Sequence, residues 1–72
     1  MKRYFEFVEV NSSKFWEVSL QDREVTVRYG RIGTVGQTQT KTLADSESAN
    51  RHVEKLVREK TKKGYVETQL AS

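Results

Sequence analysis

The chain has 72 residues, of which 35% are hydrophobic, 32% are charged and none is cysteine, and its formal net charge at pH 7 is +3. The missing cysteines exclude a disulfide framework, a thiolate metal site and a cysteine nucleophile, and no apolar run approaches the ~20 residues of a membrane span. A domain of this length buries only about 60% of its unfolded surface, so we expect one small cytoplasmic domain over residues 1–72, with little room for a catalytic cleft.

The first half of the chain is rich in aromatic and β-branched residues interrupted by short polar segments, a pattern typical of antiparallel strands joined by turns. In the second of these strands Trp16 alternates with Val18 and Leu20, so we expect Trp16 in the core. The predicted strands span residues 3–10, 14–21 and 24–32, with connections at 11–13 and 21–23.

The second half of the chain predicts a fourth strand, one helix and a short last strand. Ala49 and Val53 belong to an apolar stripe at helical spacing, which packs on the sheet. Asp45 or Ser46 caps the helix, and Gly64, after several lysines, ends it. The fold class is therefore α+β, a small antiparallel sheet of four to five strands with one amphipathic helix packed on one face. The bounds are 37–43 for the fourth strand, 46–63 for the helix and 65–69 for the last strand.

Positive charge is concentrated in two segments. Residues 25–44 contain basic but no acidic residues, and residues 51–63 carry six cations against two carboxylates. A basic segment beside exposed aromatic side chains is typical of a nucleic-acid binder. Lys60 is expected on the sheet side of the helix, where it snorkels at the edge. Four cations form a stripe on the opposite side, which we interpret as a solvated face: Arg51, Lys55, Arg58 and Lys62.

The segment at 29–36, Y-G-R-I-G-T-V-G, combines a flat ring, a guanidinium group and a flexible backbone. Rings stack on bases or sugars, and arginine pairs bidentately with phosphate. The glycine spacing matches neither a dinucleotide fingerprint nor a P-loop, so we interpret these glycines as turn residues. The segment is the candidate binding site.

Several separated motifs occur along the chain in one order: K-F-W-E at 14–17, Y-G-R-I-G-T-V-G-Q at 29–37, K-T-L at 41–43 and E-K-T-K-K-G-Y at 59–65. Together they resemble the WGR domain, a family named for a Trp-Gly-Arg triplet, with Tyr29 in place of the namesake Trp. The resemblance spans nearly the whole chain and implies an antiparallel sheet with one helix. It also implies nucleic-acid binding, since the family occurs in DNA-damage-responsive poly(ADP-ribose) polymerases, where it engages DNA near strand ends, and in many bacterial proteins.

The resemblance implies a role for each residue of the triplet. Tyr29 would stack on a terminal sugar or base, Gly30 would allow close approach, and Arg31 would contact phosphate or a partner domain. We therefore predict a module that binds DNA backbone, at strand ends or nicks, without reading sequence. RNA is an alternative ligand, and with DNA as ligand the location is nucleoid-associated. The predicted nucleic-acid-binding residues are Tyr29, Gly30, Arg31, Arg28, Lys41, Lys60 and Lys63.

Simpler interpretations stay open for the same residues. Tyr29 has the strand parity of Val25 and Val27, which favours the core, whereas the resemblance favours partial exposure. Arg31 is able to pair with a neighbouring carboxylate instead of a ligand. A second functional hypothesis is a protein-interaction adaptor that docks on a partner domain through the Arg31 loop. We predict no enzyme, metal or cofactor, because His52 is the sole histidine and the carboxylates are scattered among cations.

Overall fold

The computed structural model describes residues 1–68, which form a five-stranded antiparallel sheet and one helix. The strands are β1 Lys2–Glu9, β2 Ser12–Gln21, β3 Glu24–Arg31, β4 Gln37–Thr42 and β5 Val66–Glu67, and the helix α1 spans Ser46–Lys62. The strand order in the sheet is β4-β3-β2-β1-β5. The helix packs on one face of the central strands, which confirms the predicted α+β class. Within residues 1–68 no helix is long and apolar enough to cross a membrane.

The element bounds differ from the prediction mainly at the first hairpin. Glu9 lies opposite Ser12, so the connection is the residue pair 10–11 rather than the polar segment 11–13. Ser13 belongs to β2 because it pairs with β1 on one side, while its carbonyl accepts a hydrogen bond from the Ile32 amide at 3.0 Å on the other. The last strand is shorter than expected, and its predicted end, Gln69, lies outside the described residues.

The core lies between the sheet and the helix. Register places Phe5, Trp16 and Tyr29 side by side across β1, β2 and β3. Trp16 is only 3% exposed, which confirms the predicted core position. Burying an apolar side chain of this kind stabilises the fold by roughly 1.5–3 kcal/mol, so the contact between sheet and helix dominates stability. The buried residues of this cluster are Phe5, Trp16, Val18, Val25, Ala49 and Val53.

Both ends of α1 have the predicted chemistry. The Asp45 carboxylate accepts a hydrogen bond from the Ser48 amide at 2.7 Å, and this bond lowers the pKa of Asp45 below its usual range. At the other end Gly64 has φ +105, and a Cβ there would lie 3.1 Å from the Phe7 ring. The Tyr65 amide donates to the Lys60 carbonyl at 3.0 Å, which completes a Schellman motif. The motif directs the chain back to the sheet, where Tyr65 contacts Phe7.

The helix-free face of the sheet has a small apolar cluster of its own, centred on Phe15, which is 3% exposed. The Tyr4 ring stacks at 6.0 Å on one side, and the Arg28 guanidinium lies 4.5 Å above the ring centre. The β3–β4 connection covers the rest, because Gly36 has φ +77 and a Cβ there would lie 2.7 Å from the Phe15 ring. A Cβ on Gly30 would lie 2.9 Å from the Gly36 Cα. We call Tyr4, Phe15, Arg28 and Gly36 the Phe15 cluster.

Candidate nucleic-acid interface

A groove of about 1120 Å³ runs along the helix-bearing face, between the C-terminal half of α1 and the β3–β4 side of the sheet. Its floor is formed by strand side chains that the helix leaves uncovered, and its far end by Tyr65 after the helix. Positive groups predominate among the charged side chains of its wall. We call it the cationic groove, and its principal polar and aromatic residues are Lys14, Tyr29, Arg31, Lys41, His52 and Lys60.

The structure brings five of the seven predicted site residues together in this groove and leaves two outside it. Arg28 lies on the helix-free face, because it is one residue from Tyr29 in an alternating strand. Lys63 is the C-cap residue of α1, exposed at the helix end, and its charge acts on Lys60 nearby. The five that line the groove are Tyr29, Gly30, Arg31, Lys41 and Lys60.

Tyr29 is half-buried, so the two sequence interpretations each describe part of the side chain. Its ring packs against the core cluster beside Trp16, while its hydroxyl reaches the rim of the sheet. That hydroxyl donates to Gln37 Oε1 at 3.3 Å and accepts from Gln39 Nε2 at 3.4 Å. Two amides of β4 therefore hold the hydroxyl in place, and Tyr29 lines the cationic groove.

Arg31 is the last residue of β3 and is exposed, and hydrogen bonds from Thr34 hold its backbone carbonyl. The Arg31 carbonyl accepts hydrogen bonds from the Thr34 amide at 3.1 Å and the Thr34 hydroxyl at 2.7 Å. Within residues 1–68 the guanidinium forms no ion pair, so the alternative of a surface carboxylate partner is not realised there. Its cross-strand neighbour is Lys14, and like charges placed directly opposite each other destabilise a sheet.

Lys60 projects from α1 into the same end of the groove. Its Nζ atom lies 5.7 Å from the Trp16 ring centre and 5.4 Å from that of Tyr65. Desolvation is the main cause of the lowered pKa of Lys60, and the charge of Lys63 lowers it further. Glu59 opposes this shift, and Lys14 makes the smallest contribution to it. The predicted position on the sheet side of the helix is confirmed, but the ammonium lies over Trp16 of the central strand β2 rather than at an edge of the sheet. Lys60 has no ion-pair partner in the described part of the chain.

His52 lines the groove on the side of Lys41 and is half-buried. Desolvation lowers the pKa of His52, with additional lowering by the charges of Lys41 and Lys55 and a smaller opposing effect of Glu59. The imidazole is therefore neutral at pH 7, and a bound anion would favour its charged form. Residues 1–68 contain no group of three histidines or carboxylates that could hold a metal ion.

Arg28 packs in the Phe15 cluster and does not line the groove. Its Nε lies 3.3 Å from Glu17 Oε1, and its other guanidinium nitrogen donates to the Val35 carbonyl at 2.7 Å. Together with the contact to Phe15, these bonds cover the helix-free face and hold the β3–β4 connection against it. Arg28 entered the predicted site through the charge count of its segment, whereas strand parity places it on the other face.

Sequence reasoning did not assign a site role to Lys14, Tyr65 or His52. Lys14 reaches the site because the β2–β3 register sets it opposite Arg31, and no local pattern shows that register. Tyr65 reaches it because the turn at Gly64 reverses the chain. The available signal for Lys14 was its parity with Trp16, which places both on the helix-bearing face.

The sequence and fold are similar to those of known proteins. A model of the WGR domain family matches residues 1–72. Protein YehF of Escherichia coli K12 is 42% identical over 65 residues, which are 90% of this chain and 24% of YehF. The uncharacterized protein YfeS of the same organism is 36% identical over 67 residues, 93% of this chain and 28% of YfeS. A crystal structure of a Bacteroides fragilis protein matches with a TM-score of 0.93 and 48% identity, over 96% of this chain and 20% of that one. The chain thus spans about a quarter of the length of these curated relatives.

Proposed function

The chain belongs to the WGR domain family, and from that premise we propose that it is a non-catalytic module that binds the backbone of nucleic acid through the cationic groove. DNA is the primary ligand and RNA the alternative. Contacts to phosphate and sugar carry no sequence information, so the module selects strand ends or nicks rather than a sequence. The activity of a longer protein containing the domain would come from other domains.

One observation carries the proposal: Lys14, Arg31 and Lys60 converge at one end of the groove and none has an ion-pair partner within residues 1–68. Lys14 of β2 and Arg31 of β3 lie directly opposite each other on neighbouring strands, and the positive charge of Lys14 contributes to the lowered pKa of Lys60. Such an arrangement is unfavourable in the free protein. A phosphate placed among the three cations would offset the repulsion, and neutralised phosphates release counterions into solution.

The aromatic groups beside these cations suit the sugars and bases attached to a phosphate. Tyr29 lines the groove with an aromatic ring whose hydroxyl two amides hold. Arg31 offers a bidentate fork. Gly30 lies between them on the strand and lines the groove with its backbone, and its missing side chain makes room for Gly36 on the opposite face. Lys41 is the cation at the other end of the groove, and Lys63 extends the positive surface past the helix end.

A second candidate function is the protein-interaction adaptor, and one observation favours it. Val35 in the β3–β4 connection is 81% exposed, and Val10 in the neighbouring hairpin turn is 99% exposed. Both belong to connections at the end of the sheet where Arg31 lies. Exposed apolar residues beside an arginine are suited to a protein contact. In this role Arg31 would pair with a carboxylate of the partner.

The test is fluorescence anisotropy with intact, nicked and 5′-phosphorylated duplexes across a salt series. Three phosphate contacts predict that log K falls with log salt at a slope of about −2.7. Arg31→Ala should reduce the slope by about one contact, and Tyr29→Ala should weaken binding at every salt concentration. Arg58→Ala is the matched control, because it removes an exposed arginine of α1 that does not line the groove.

Two results would contradict the proposal. If Arg31→Ala and Arg58→Ala weaken binding equally, the net charge of the domain attracts the nucleic acid and the groove is not the binding site. If the folded domain binds neither DNA nor RNA at low salt, nucleic-acid binding is wrong and the adaptor hypothesis replaces it. Circular dichroism of each variant confirms that the compared proteins are folded.

A further inference from the structure

Charge is unevenly distributed along the cationic groove. One end holds the cluster of Lys14, Arg31 and Lys60, and the other end holds Lys41. Lys41 lies opposite Val25, and Arg31 follows Val25 by six residues along β3. An extended strand rises about 3.3 Å per residue, so the two cationic ends are roughly 20 Å apart. Tyr29 and Gln39 lie between the two cationic ends, and the carboxylates of Glu9 and Glu59 also line the groove.

The middle of the groove has the chemistry of a nucleobase site. Val27 and the Tyr29 ring form its floor, and Gln39 stands on the β4 side, opposite Val27 in register. One Gln39 Nε2 hydrogen is directed to the Tyr29 hydroxyl. The Oε1 acceptor and the second Nε2 hydrogen have no partner in the described part of the chain. Gln39 thus offers one donor and one acceptor above an aromatic floor.

The Watson–Crick edges of all four bases carry a donor next to an acceptor, and an amide with one of each can pair with any of them. That edge is accessible only in an unpaired base. The groove volume of about 1120 Å³ lies slightly above the roughly 300–1,000 Å³ of small-molecule sites, which leaves room for a short single-strand segment. The cations at the two ends of the groove attract phosphates, so a bound strand lies along the groove.

We propose that the cationic groove holds an unpaired segment of a nucleic-acid strand, with phosphates at its two cationic ends and one base between them whose edge pairs with Gln39. Gln39 is the residue that distinguishes unpaired from paired bases without selecting a sequence. This inference rests on the proposed function and adds that the bound strand is unpaired. Frayed ends, gaps and short overhangs present such a segment next to the backbone contacts already described.

The experiment compares a single strand, the blunt duplex of the same sequence and the same single strand with one central abasic spacer, all by anisotropy at one salt concentration. We expect the single strand to bind at least fivefold more tightly than the duplex. Gln39→Leu should weaken single-strand binding about five- to tenfold, which is the lower range for a bidentate base contact, and weaken duplex binding by a smaller factor through the lost hydrogen bond to Tyr29. The wild type should bind the strand with the abasic spacer more weakly than the intact strand. For Gln39→Leu the affinities of the two strands should be nearly equal.

Thr38→Val is the matched control, because Thr38 is the preceding residue of β4 and alternation turns its side chain to the opposite face. Equal single-strand affinities of Gln39→Leu and Thr38→Val would overturn the inference, as would a duplex that binds as tightly as the single strand. Either result leaves the proposed function standing if Arg31→Ala still weakens binding. If Arg31→Ala binds as tightly as the wild type, the proposed function itself is wrong.

Discussion

The ammonium group of Lys60 lies 5.7 Å from the centre of the Trp16 ring, in contact with an aromatic face and without a carboxylate partner in residues 1–68. Trp16 is the only tryptophan in the sequence, so tryptophan fluorescence comes entirely from the residue that Lys60 contacts. A ligand that draws the ammonium toward a phosphate changes the environment of the indole. The site therefore has an intrinsic probe at the point where binding is proposed.

Lys60→Met should raise stability and weaken nucleic-acid binding. Desolvation of the Lys60 charge disfavours the folded state, and a methionine of similar length packs between the two rings without that cost. We expect the melting temperature to rise by about 2–4 °C and the salt slope to fall by about one contact. Thermal melts and anisotropy measure both, with Lys62→Met on the exposed side as control. A lower melting temperature would mean that the attraction between cation and rings outweighs desolvation.

The two arginines of β3 should separate stability from binding. Arg28→Ala removes the cover of Phe15 and leaves Glu17, whose side chain is only 11% exposed, without its ion-pair partner. We expect a loss of about 2 kcal/mol in the free energy of unfolding by urea titration. Arg31→Ala should change that free energy by less than about 0.5 kcal/mol and abolish most binding. Similar stability losses in both variants would contradict the assignment of Arg28 to the Phe15 cluster.

Gly36→Ala should destabilise the fold far more than Gly33→Ala. Both glycines have positive φ, so both substitutions strain the backbone by about 1 kcal/mol. At Gly36 the new Cβ also meets the Tyr29 backbone carbonyl and the Phe15 ring, whereas nothing lies within 4 Å of a Cβ at Gly33. We expect about 2–3 kcal/mol of additional loss at Gly36 from overpacking. Equal melting temperatures of the two variants would show that Gly36 does not pack against Tyr29 and Phe15.

Nucleic-acid binding should tighten as pH falls through the titration of His52. Its pKa is lowered in the free domain and would be raised by a bound phosphate, so binding takes up a proton near and below pH 6.5. We expect about a two- to fourfold gain in affinity between pH 7.5 and 5.5. His52→Asn should remove the dependence, and an unchanged pH profile in that variant would exclude His52 from the contact.

The stability of the free domain should have the opposite pH dependence. The folded pKa of His52 lies below the unfolded value, so between the two the unfolded chain binds more protons. This contribution makes the free domain less stable as pH falls through that window, and it is absent above the unfolded pKa. Urea titrations at pH 5.5 and 7.5 of wild type and His52→Asn isolate the difference.

The fold was predictable because its signals are local. The apolar stripe of α1, the Asp45 cap and the glycine at position 64 each act through neighbours in sequence. The first hairpin was misplaced by two residues because its turn includes the apolar Val10, while polarity marked Ser12 and Ser13 as loop. Pairing with β1 decides that boundary, and pairing is a tertiary property.

The site was predictable only in part because it is assembled from register and chain reversal. Tyr29, Arg31 and Lys60 were identified from residue chemistry, strand position and helix periodicity. Lys14 and Tyr65 join them through contacts of long sequence separation. The Gln39 amide bound to the Tyr29 hydroxyl depends on the β3–β4 register, for which the Thr-rich strand has no marker.

The Tyr29 ring stands on β3, a strand that is paired along both of its edges. A platform of this kind is already rigid before a ligand arrives, so association requires no loop to be ordered and loses little conformational entropy. Encounter rates should then follow electrostatic steering and ionic strength alone. Substitutions in the middle of the groove should alter residence time, whereas those of the peripheral cations should alter the rate of arrival.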